Sequence, residues 1–208
     1  ESVDRAVLEP AAKGYRAVTN EPIRKGVGNV LANLNEPVTF VNEVLQGDLN
    51  SATETIGRFS INTTVGLVGL LDLANDFGLE RKKEDFGQTL AVWGVDDGPY
   101  LVAPLIGPTN PRDLVGTATD LVFSPFTWTK YDGDDIVRAS RITAGAISGR
   151  ESVIEAVDGL RSQQADPYTA LRRVYDQNRQ SQIRNGAEDP NAYENLPSYD
   201  DYDDYEDE

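Results

Sequence analysis

A long stretch near the start of the chain repeats apolar side chains every three or four positions. Its members are Val27, Val30, Leu31, Leu34, Val38, Val41, Val44 and Leu45. This spacing places them on one face of a helix. Pro37 interrupts the pattern without changing its period, and Gly47 is a typical helix stop. We expect either one kinked helix or two helices that meet at Glu36–Pro37.

Further segments carry helix signals. Residues 51–54 (Ser-Ala-Thr-Glu) have the form of a capping box, and the helix after them would present Ile56 and Phe59 on one face. An amphipathic stretch follows over residues 134–160, and Asp166–Pro167 is typical of a helix start. The chain is therefore predicted to be mainly α-helical, with few strands.

The region between Leu67 and Trp128 has a different character. Gly and Pro residues divide it into short apolar pieces at 66–71, 90–95, 100–107 and 121–128. Each piece is far shorter than the roughly 20 apolar residues that a membrane-spanning helix needs. The pieces either form a buried core between short helices, or some of them face lipid or an apolar ligand. The sequence alone slightly favours the buried core.

Composition removes most catalytic chemistry. The chain has 208 residues and contains no His, Cys or Met. This excludes disulfides, iron–sulfur clusters, thiolate nucleophiles, a Ser-His-Asp triad and an ordinary zinc site. Asp96, Asp97 and Asp113 resemble acid and base candidates, but a polar turn and a helix cap explain them better. We therefore identify no active site, and we expect neither an enzyme nor a bound cofactor or metal.

The negative charge is concentrated at the end of the chain. The net charge is −16, and residues 188–208 hold ten acidic side chains and no basic one. Such a segment buries too little apolar surface to fold, so we expect a body over 1–187 and a disordered acidic tail over 188–208. A docking tail for a basic partner is the alternative. No basic face stands out, which argues against a nucleic-acid partner.

Three spaced blocks of residues in the body match the motifs of one known family. They are Asn33-Leu34-Asn35-Glu36-Pro37 with Val41-Asn42 and Leu45-Gln46-Gly47; Arg58-Phe59 with Ile61-Asn62-Thr63-Thr64-Val65-Gly66; and Asp85-Phe86-Gly87-Gln88-Thr89-Leu90 with Trp93-Gly94-Val95, Gly98-Pro99-Tyr100, Pro104 and Gly107-Pro108. In this order the blocks closely resemble the MlaA family, also called VacJ. The resemblance covers nearly the whole body and leaves out the acidic tail. The family has Phe where this chain has Val30, an exchange between apolar residues.

The resemblance implies a fold, a location and a function. MlaA-like proteins are lipoproteins of the Gram-negative outer membrane, and their lipid-anchored Cys would precede Glu1. The family fold is a ring-like bundle of amphipathic helices embedded in the inner leaflet, with a central amphipathic channel. The implied function is to remove mislocalised phospholipid from the outer leaflet and pass it to a periplasmic carrier. The implied partners are membrane phospholipid, a trimeric porin and a soluble MlaC-like carrier.

The resemblance also gives the apolar pieces a role. We expect channel-wall or membrane-facing side chains at Phe59, Leu67, Leu70, Phe86, Trp93, Tyr100, Leu105, Phe123, Phe126 and Trp128. Trp and Tyr suit the boundary between lipid tails and water. Beside the channel, Gly94, Gly98 and Pro99 would form a hinge, because glycine reaches backbone angles closed to other residues. A plain turn that presents Asp96 and Asp97 to water is the alternative.

Two other classes of function stay open at this stage. The first is a porin-associated scaffold without a lipid channel of its own, whose acidic tail recruits a partner. The second is a lipid hydrolase that depends on Asp96, Asp97 or Asp113. Co-purifying phospholipid would favour transport, and release of free fatty acid would favour the hydrolase.

Overall fold

The computed structural model describes residues 4–103, 107–130, 132–163 and 167–187. Leu105 and the acidic tail 188–208 lie outside these ranges, so their predicted roles stay predictions. Within the ranges the chain is predominantly helical, as the sequence predicted. After a π-helical segment at Asp4–Leu8, the helices are α1 (Glu9–Val18), α2 (Glu21–Gln46), α3 (Leu49–Thr64), α4 (Leu73–Asp76), α5 (Phe86–Val92), α6 (Pro111–Phe123), α7 (Pro125–Trp128), α8 (Asp134–Ser152), α9 (Ile154–Gln163) and α10 (Pro167–Ile183).

The long helix α2 is continuous and contains Pro37 in its interior. Its first turn is capped by the Asn20 side chain, which accepts a hydrogen bond from the Ile23 N–H at 3.0 Å. Gly47 ends the helix with a left-handed backbone, φ +82°. The expectation of one helix through Pro37 is therefore confirmed, and the alternative of two helices is wrong.

The start of α3 differs from the prediction. Asp48 caps this helix: its Oδ1 accepts from the Ser51 N–H at 3.0 Å and its Oδ2 from the Ser51 hydroxyl at 2.6 Å. Residues 51–54 consequently lie inside the helix, and the capping box predicted there is wrong. The amphipathic stretch predicted over residues 134–160 consists of two helices, α8 and α9, which are separated at Val153.

Two short strands form a hairpin just after residues 94–100. They are β1 (Leu101–Ala103) and β2 (Gly107–Thr109), paired antiparallel with Leu101 opposite Thr109. Helices α5 and α6 then pack at unusually short range. A Cβ placed on Gly116 would lie only 2.3 Å from the Gly87 nitrogen, so this crossing requires glycine.

The interior is polar and the outer surface is rich in apolar side chains. Among the described residues, the buried apolar side chains are five, namely Ala12, Val38, Ala52, Ala74 and Ile154, whereas eighteen polar or charged residues are buried. Helix α3 buries Thr55, Arg58 and Asn62, while Ile56 and Phe59 are 51% and 37% exposed. The slight preference for a buried apolar core over 66–128 is therefore wrong.

Exposed apolar residues from the interrupted region include Val65, Leu67, Val68, Leu70, Leu71, Val92, Trp93, Val95, Leu101, Val102, Leu121, Val122 and Trp128. A surface of this kind marks contact with lipid or with another protein. In the part of the chain that the structure describes, no helix combines the length and apolarity required to cross a bilayer.

Candidate functional site

The buried face of α2 is held to α3 through one guanidinium. Arg58 is 2% exposed and donates from Nε to the Glu36 carboxylate at 3.2 Å and from Nη2 to Asp72 at 2.9 Å. Its Nη1 donates to the Leu79 carbonyl. Burial raises the pKa of Glu36 despite the neighbouring Arg58 charge. This cluster ties two helices to the segment that follows them.

A second buried cation joins α10 to the start of α5 and α6. Arg179 donates to both oxygens of Asp85, each at 2.7 Å, and to Asp113 Oδ1 at 2.8 Å. The other Asp113 oxygen accepts from the Tyr175 hydroxyl at 2.6 Å. Burial acts to raise the pKa of Asp85, but Arg179 outweighs it and holds that pKa below its usual value. Asp113, a candidate acid or base in the sequence, is thus part of an ion-paired cluster.

A chain of side-chain hydrogen bonds runs between two further carboxylates. Glu84 accepts from Gln46 at 2.9 Å, and the same Gln46 nitrogen lies 3.2 Å from the Thr89 hydroxyl. Thr89 donates to Asn42 at 2.8 Å, and Asn42 donates to Asp120 at 2.9 Å. Burial raises the pKa of Glu84 and of Asp120 to about 6. Polar contacts thereby link α2, α5 and α6.

Glu43 is a buried acid that forms no ion pair with a described residue. It is 1% exposed, and one carboxylate oxygen accepts from the Thr55 hydroxyl at 3.0 Å. The other oxygen is buried without a hydrogen-bond partner among the described residues. Burial raises the pKa of Glu43 to about 7, with smaller contributions from nearby acids. A carboxyl in this position carries a proton for much of the time near neutral pH.

Two cavities adjoin each other between the helices. One, of about 610 Å³, lies among α2, α6, α9, α10 and the segment before α5; the other, of about 780 Å³, lies among α2, α7, α8 and the same segment. Five residues line both, namely Asn35, Lys83, Leu121, Ser124 and Arg141. The cavities therefore meet along a common wall that carries both charged and apolar side chains.

The walls of the two cavities combine opposite chemistries. Leu31 and Ile142 line the larger cavity together with Arg138, and Val157 and Leu171 line the smaller one beside its acidic groups. Arg141 stands at the junction, where its Nη1 donates to the Ser124 hydroxyl at 3.0 Å. Its guanidinium carbon lies 4.6 Å from the centroid of the Phe126 ring. Burial lowers the pKa of Arg141.

The structure separates the side chains that the sequence grouped as channel wall or membrane face. Phe126 lines the larger cavity. Five of the side chains are exposed on the outer surface, namely Phe59, Leu67, Leu70, Trp93 and Trp128. Three are half-buried, namely Phe86, Tyr100 and Phe123. Phe86 makes edge contacts with Trp93 and Phe123 at centroid distances of 5.7 Å and 5.5 Å. The pair of cavities is thus lined chiefly by residues that the sequence did not single out.

The loop predicted as a hinge has left-handed backbone at both glycines. The φ angles are +86° at Gly94 and +74° at Gly98. Tyr100 closes the loop against α10 through edge contacts with Tyr168 and Tyr175, at centroid distances of 5.6 Å and 5.7 Å. Asp96 is exposed, and Asp97 lines a separate polar cavity of about 280 Å³ beside α10.

The residues that sequence reasoning missed form a polar stripe on α2. Asn33, Glu36, Thr39, Asn42 and Glu43 are all buried. They recur every three or four positions, which is the period already used for the apolar residues. The sequence therefore contained a second, polar stripe on this helix. It did not indicate burial, because the polar face of a helix in a water-soluble protein normally faces solvent.

An apolar outer surface of this kind is typical of a protein that contacts lipid or another protein. The comparisons with known proteins identify the family. The family model described as MlaA lipoprotein matches residues 1–182. The chain therefore belongs to the MlaA lipoprotein family.

Individual relatives support the same assignment. The Haemophilus influenzae intermembrane phospholipid transport system lipoprotein MlaA is 35% identical over 88% of this chain and 72% of its own length. The Escherichia coli protein of the same description is 32% identical over 91% of this chain and 76% of its own length. A solved structure that concerns the maintenance of bacterial outer membrane lipid asymmetry is similar, with a TM-score of 0.74 at 29% identity, over 87% of this chain and 90% of that one.

Proposed function

We propose that this protein removes mislocalised phospholipid from the outer leaflet of a Gram-negative outer membrane and passes it to a soluble, MlaC-like periplasmic carrier. The names of the two MlaA relatives support phospholipid as the cargo. The observation that carries the proposal is the pair of adjoining cavities, whose walls mix charged and apolar side chains. In this proposal the two cavities form an amphipathic channel.

The chemistry of a phospholipid fits such a path. The headgroup is charged and is costly to move through hydrocarbon unless polar groups accompany it. The acyl chains need apolar contact. A wall that offers Arg141 and Lys83 beside Leu121 meets both requirements at the junction of the cavities. Such transfer breaks no covalent bond, so it requires no nucleophile.

The outer surface supports a position within the inner leaflet. Exposed apolar residues at Leu67, Leu70 and Trp128 would contact lipid tails, or the wall of a trimeric porin that holds the protein in place. In this proposal a lipid-anchored Cys upstream of Glu1 adds a second attachment. Membrane flotation of the full-length lipoprotein, with and without the porin, tests both contacts.

The loop from Gly94 to Tyr100 is proposed as a gate for the channel. It packs through Tyr100 on α10, and α10 lines the smaller of the two adjoining cavities. A change at Gly94 and Gly98, with Pro99 fixing one side, would alter the channel width. Because the chain contains no Cys, single cysteines placed at Asp97 and Gln180 can be joined by a short bis-maleimide, which adds to both thiols. Joining them should block transport, whereas either single variant should not.

A bulky residue in the channel provides the principal test. Ser148 lines the larger cavity on α8, whereas Ala146 on the same helix is exposed and lines none of the cavities described. Ser148→Trp should raise the phospholipid content of the outer leaflet in cells lacking the native gene, measured by enzymatic labelling of intact cells. Ala146→Trp should behave as the unaltered protein. Equal clearance by both variants would contradict transport through this cavity.

Lipid mass spectrometry of the purified full-length protein separates transport from the scaffold alternative. A channel protein isolated in mild detergent should carry phospholipid, and Ser148→Trp should reduce the amount bound. A scaffold should yield lipid-free protein in a stoichiometric complex with a porin. Release of free fatty acid would instead support the hydrolase.

A further inference from the structure

The smaller of the two adjoining cavities contains charges that cancel only in part. Four of its lining acids are Glu84, Asp85, Asp113 and Asp120. Arg179 engages Asp85 and Asp113 at 2.7–2.8 Å. Two carboxylates, Glu84 and Asp120, make no ion pair with a cation of the described residues. The charge of Arg179 acts on both carboxylates, but neither has a cation in direct contact.

The two carboxylates are held firmly by neutral donors. Gln46 donates to Glu84 at 2.9 Å, and Asn42 donates to Asp120 at 2.9 Å. Asp120 also accepts from the Phe86 N–H at 3.1 Å. The hydrogen-bond chain through Thr89 connects the two groups, so neither can move freely toward a distant cation. Both carboxylates are thus pre-oriented acceptors.

The same cavity also presents two cations, one of which, Lys83, acts on Asp85 through its charge. Lys83 and Arg141 both line it, and neither forms an ion pair with a described acid. The polar contact of Arg141 is with the neutral Ser124 hydroxyl, and its other neighbour is the Phe126 ring. A half-buried guanidinium without an anionic partner is well suited to bind a phosphate oxygen.

We infer that this cavity selects phospholipids with a zwitterionic headgroup, in which Arg141 and Lys83 bind the phosphate and Asp120 and Glu84 bind a primary ammonium. This inference rests on the proposed function and specifies its substrate class as the phosphoethanolamine type. Two anions and two cations that line one cavity match such a headgroup, whereas an anionic glycerol headgroup would leave both carboxylates unpaired. An ammonium with three N–H donors can satisfy two acceptors at once.

A competition between lipids tests the inference on the unaltered protein. The purified full-length lipoprotein, in nonionic detergent, is incubated with vesicles of equal phosphatidylethanolamine and phosphatidylglycerol. The protein is recovered and its bound lipid is measured by mass spectrometry. We expect the bound ratio to exceed the vesicle ratio about tenfold, the effect of one charge-assisted hydrogen bond.

Isosteric variants then identify the groups responsible. Combining Glu84→Gln with Asp120→Asn removes both charges but keeps the acceptors for Gln46 and Asn42, and it should return the bound ratio to that of the vesicles. Asp135→Asn, at an exposed acid on α8, is the matched control and should retain the preference. Arg141→Gln should reduce the binding of both lipids about tenfold, because both carry the phosphate.

The possible outcomes distinguish the inference from the proposed function. Phospholipid bound in the vesicle ratio by the unaltered protein would overturn the inference and leave transport standing. Absence of bound phospholipid of either kind would overturn the proposed function itself. In a second competition, phosphatidylcholine retains the positive charge but has no N–H donor. Binding of phosphatidylcholine as strongly as phosphatidylethanolamine would overturn the assignment of the carboxylates to a primary ammonium.

Discussion

Replacing Arg58 by Met should destabilise the protein by an amount that depends on pH. The change keeps most of the side-chain volume but removes the cation from Glu36, which is 3% exposed. At pH 7 the stranded carboxyl avoids the buried charge by taking up a proton. Its ordinary pKa is 4.5, so protonation at pH 7 costs at most about 3.4 kcal/mol more than in the native protein, where burial already raises this pKa. The lost hydrogen bond to the Leu79 carbonyl adds about 1 kcal/mol.

The Glu36 and Leu79 contacts therefore predict a loss of up to about 4 kcal/mol at pH 7. Because the carboxyl is easier to protonate in acid, their loss should fall to about 2 kcal/mol or less at pH 5.5. Urea unfolding in detergent micelles, followed by circular dichroism at both pH values, measures it. Arg173→Met, at an exposed arginine of α10, is the matched control.

The pH dependence provides the decisive comparison. A second substitution, Glu36→Gln, removes the group that titrates, so the double variant should lose stability equally at both pH values. An Arg58→Met loss of less than 1 kcal/mol, or one that is the same at pH 7 and pH 5.5, would refute this account of the buried pair.

Three further predictions concern other parts of the molecule. Because the pKa of Glu43 rises from 4.5 to about 7 on folding, stability should decline as pH rises through this interval. Glu43→Gln should make the decline smaller in urea titrations, most clearly between pH 6 and pH 7, because Glu84 and Asp120 contribute mainly below pH 6. It should stabilise the protein at pH 8 and change it little at pH 5. Gly116→Ala should destabilise by roughly 1–3 kcal/mol, because its Cβ would overlap the Gly87 backbone. Gly145→Ala is the control, because a Cβ there meets no atom within 4 Å, and it should stabilise the protein by about 0.5–1 kcal/mol. Equal shifts in melting temperature for the two variants would contradict the close packing of α5 against α6. Leu67→Asp should weaken membrane flotation without lowering the melting temperature. The backbone at Leu67 is left-handed (φ +54°), and Asp tolerates this conformation better than Leu. Unchanged flotation would exclude Leu67 from the lipid contact.

Helical content was predictable from the sequence because periodicity is a local property. The apolar spacing around Val38 and the stop at Gly47 identified α2, and Pro167 identified the start of α10. Helix boundaries were less certain, since Asp48 and Ser51 both carry side chains suited to a cap. In the structure Asp48 makes the cap hydrogen bond, while Lys82 donates to the Ser51 hydroxyl at 2.7 Å. That contact spans 31 residues.

The candidate site was harder to predict because its groups come from distant parts of the chain. Arg179 and Asp85 are 94 residues apart, and Asn42 and Asp120 are 78 residues apart. No local pattern connects such pairs. The apolar periodicity also did not show which side of each helix faces inward. The same period occurs in a protein with an apolar core and in one with a polar core. The family resemblance predicted apolar side chains at the channel wall and membrane face, but it did not predict the buried polar stripe of α2.

The inverted distribution of side chains also affects how the chain reaches its native state. In water, an unfolded polypeptide collapses by withdrawing its apolar side chains from solvent. Here that collapse would draw Leu67 and Trp128 inward and expose Arg58, which is the reverse of the native arrangement. Aqueous collapse would therefore lead away from the folded state, and we expect the chain to need an apolar environment before its buried ion pairs can form. Dilution from urea into buffer should give aggregates, whereas dilution into micelles should give the helical protein.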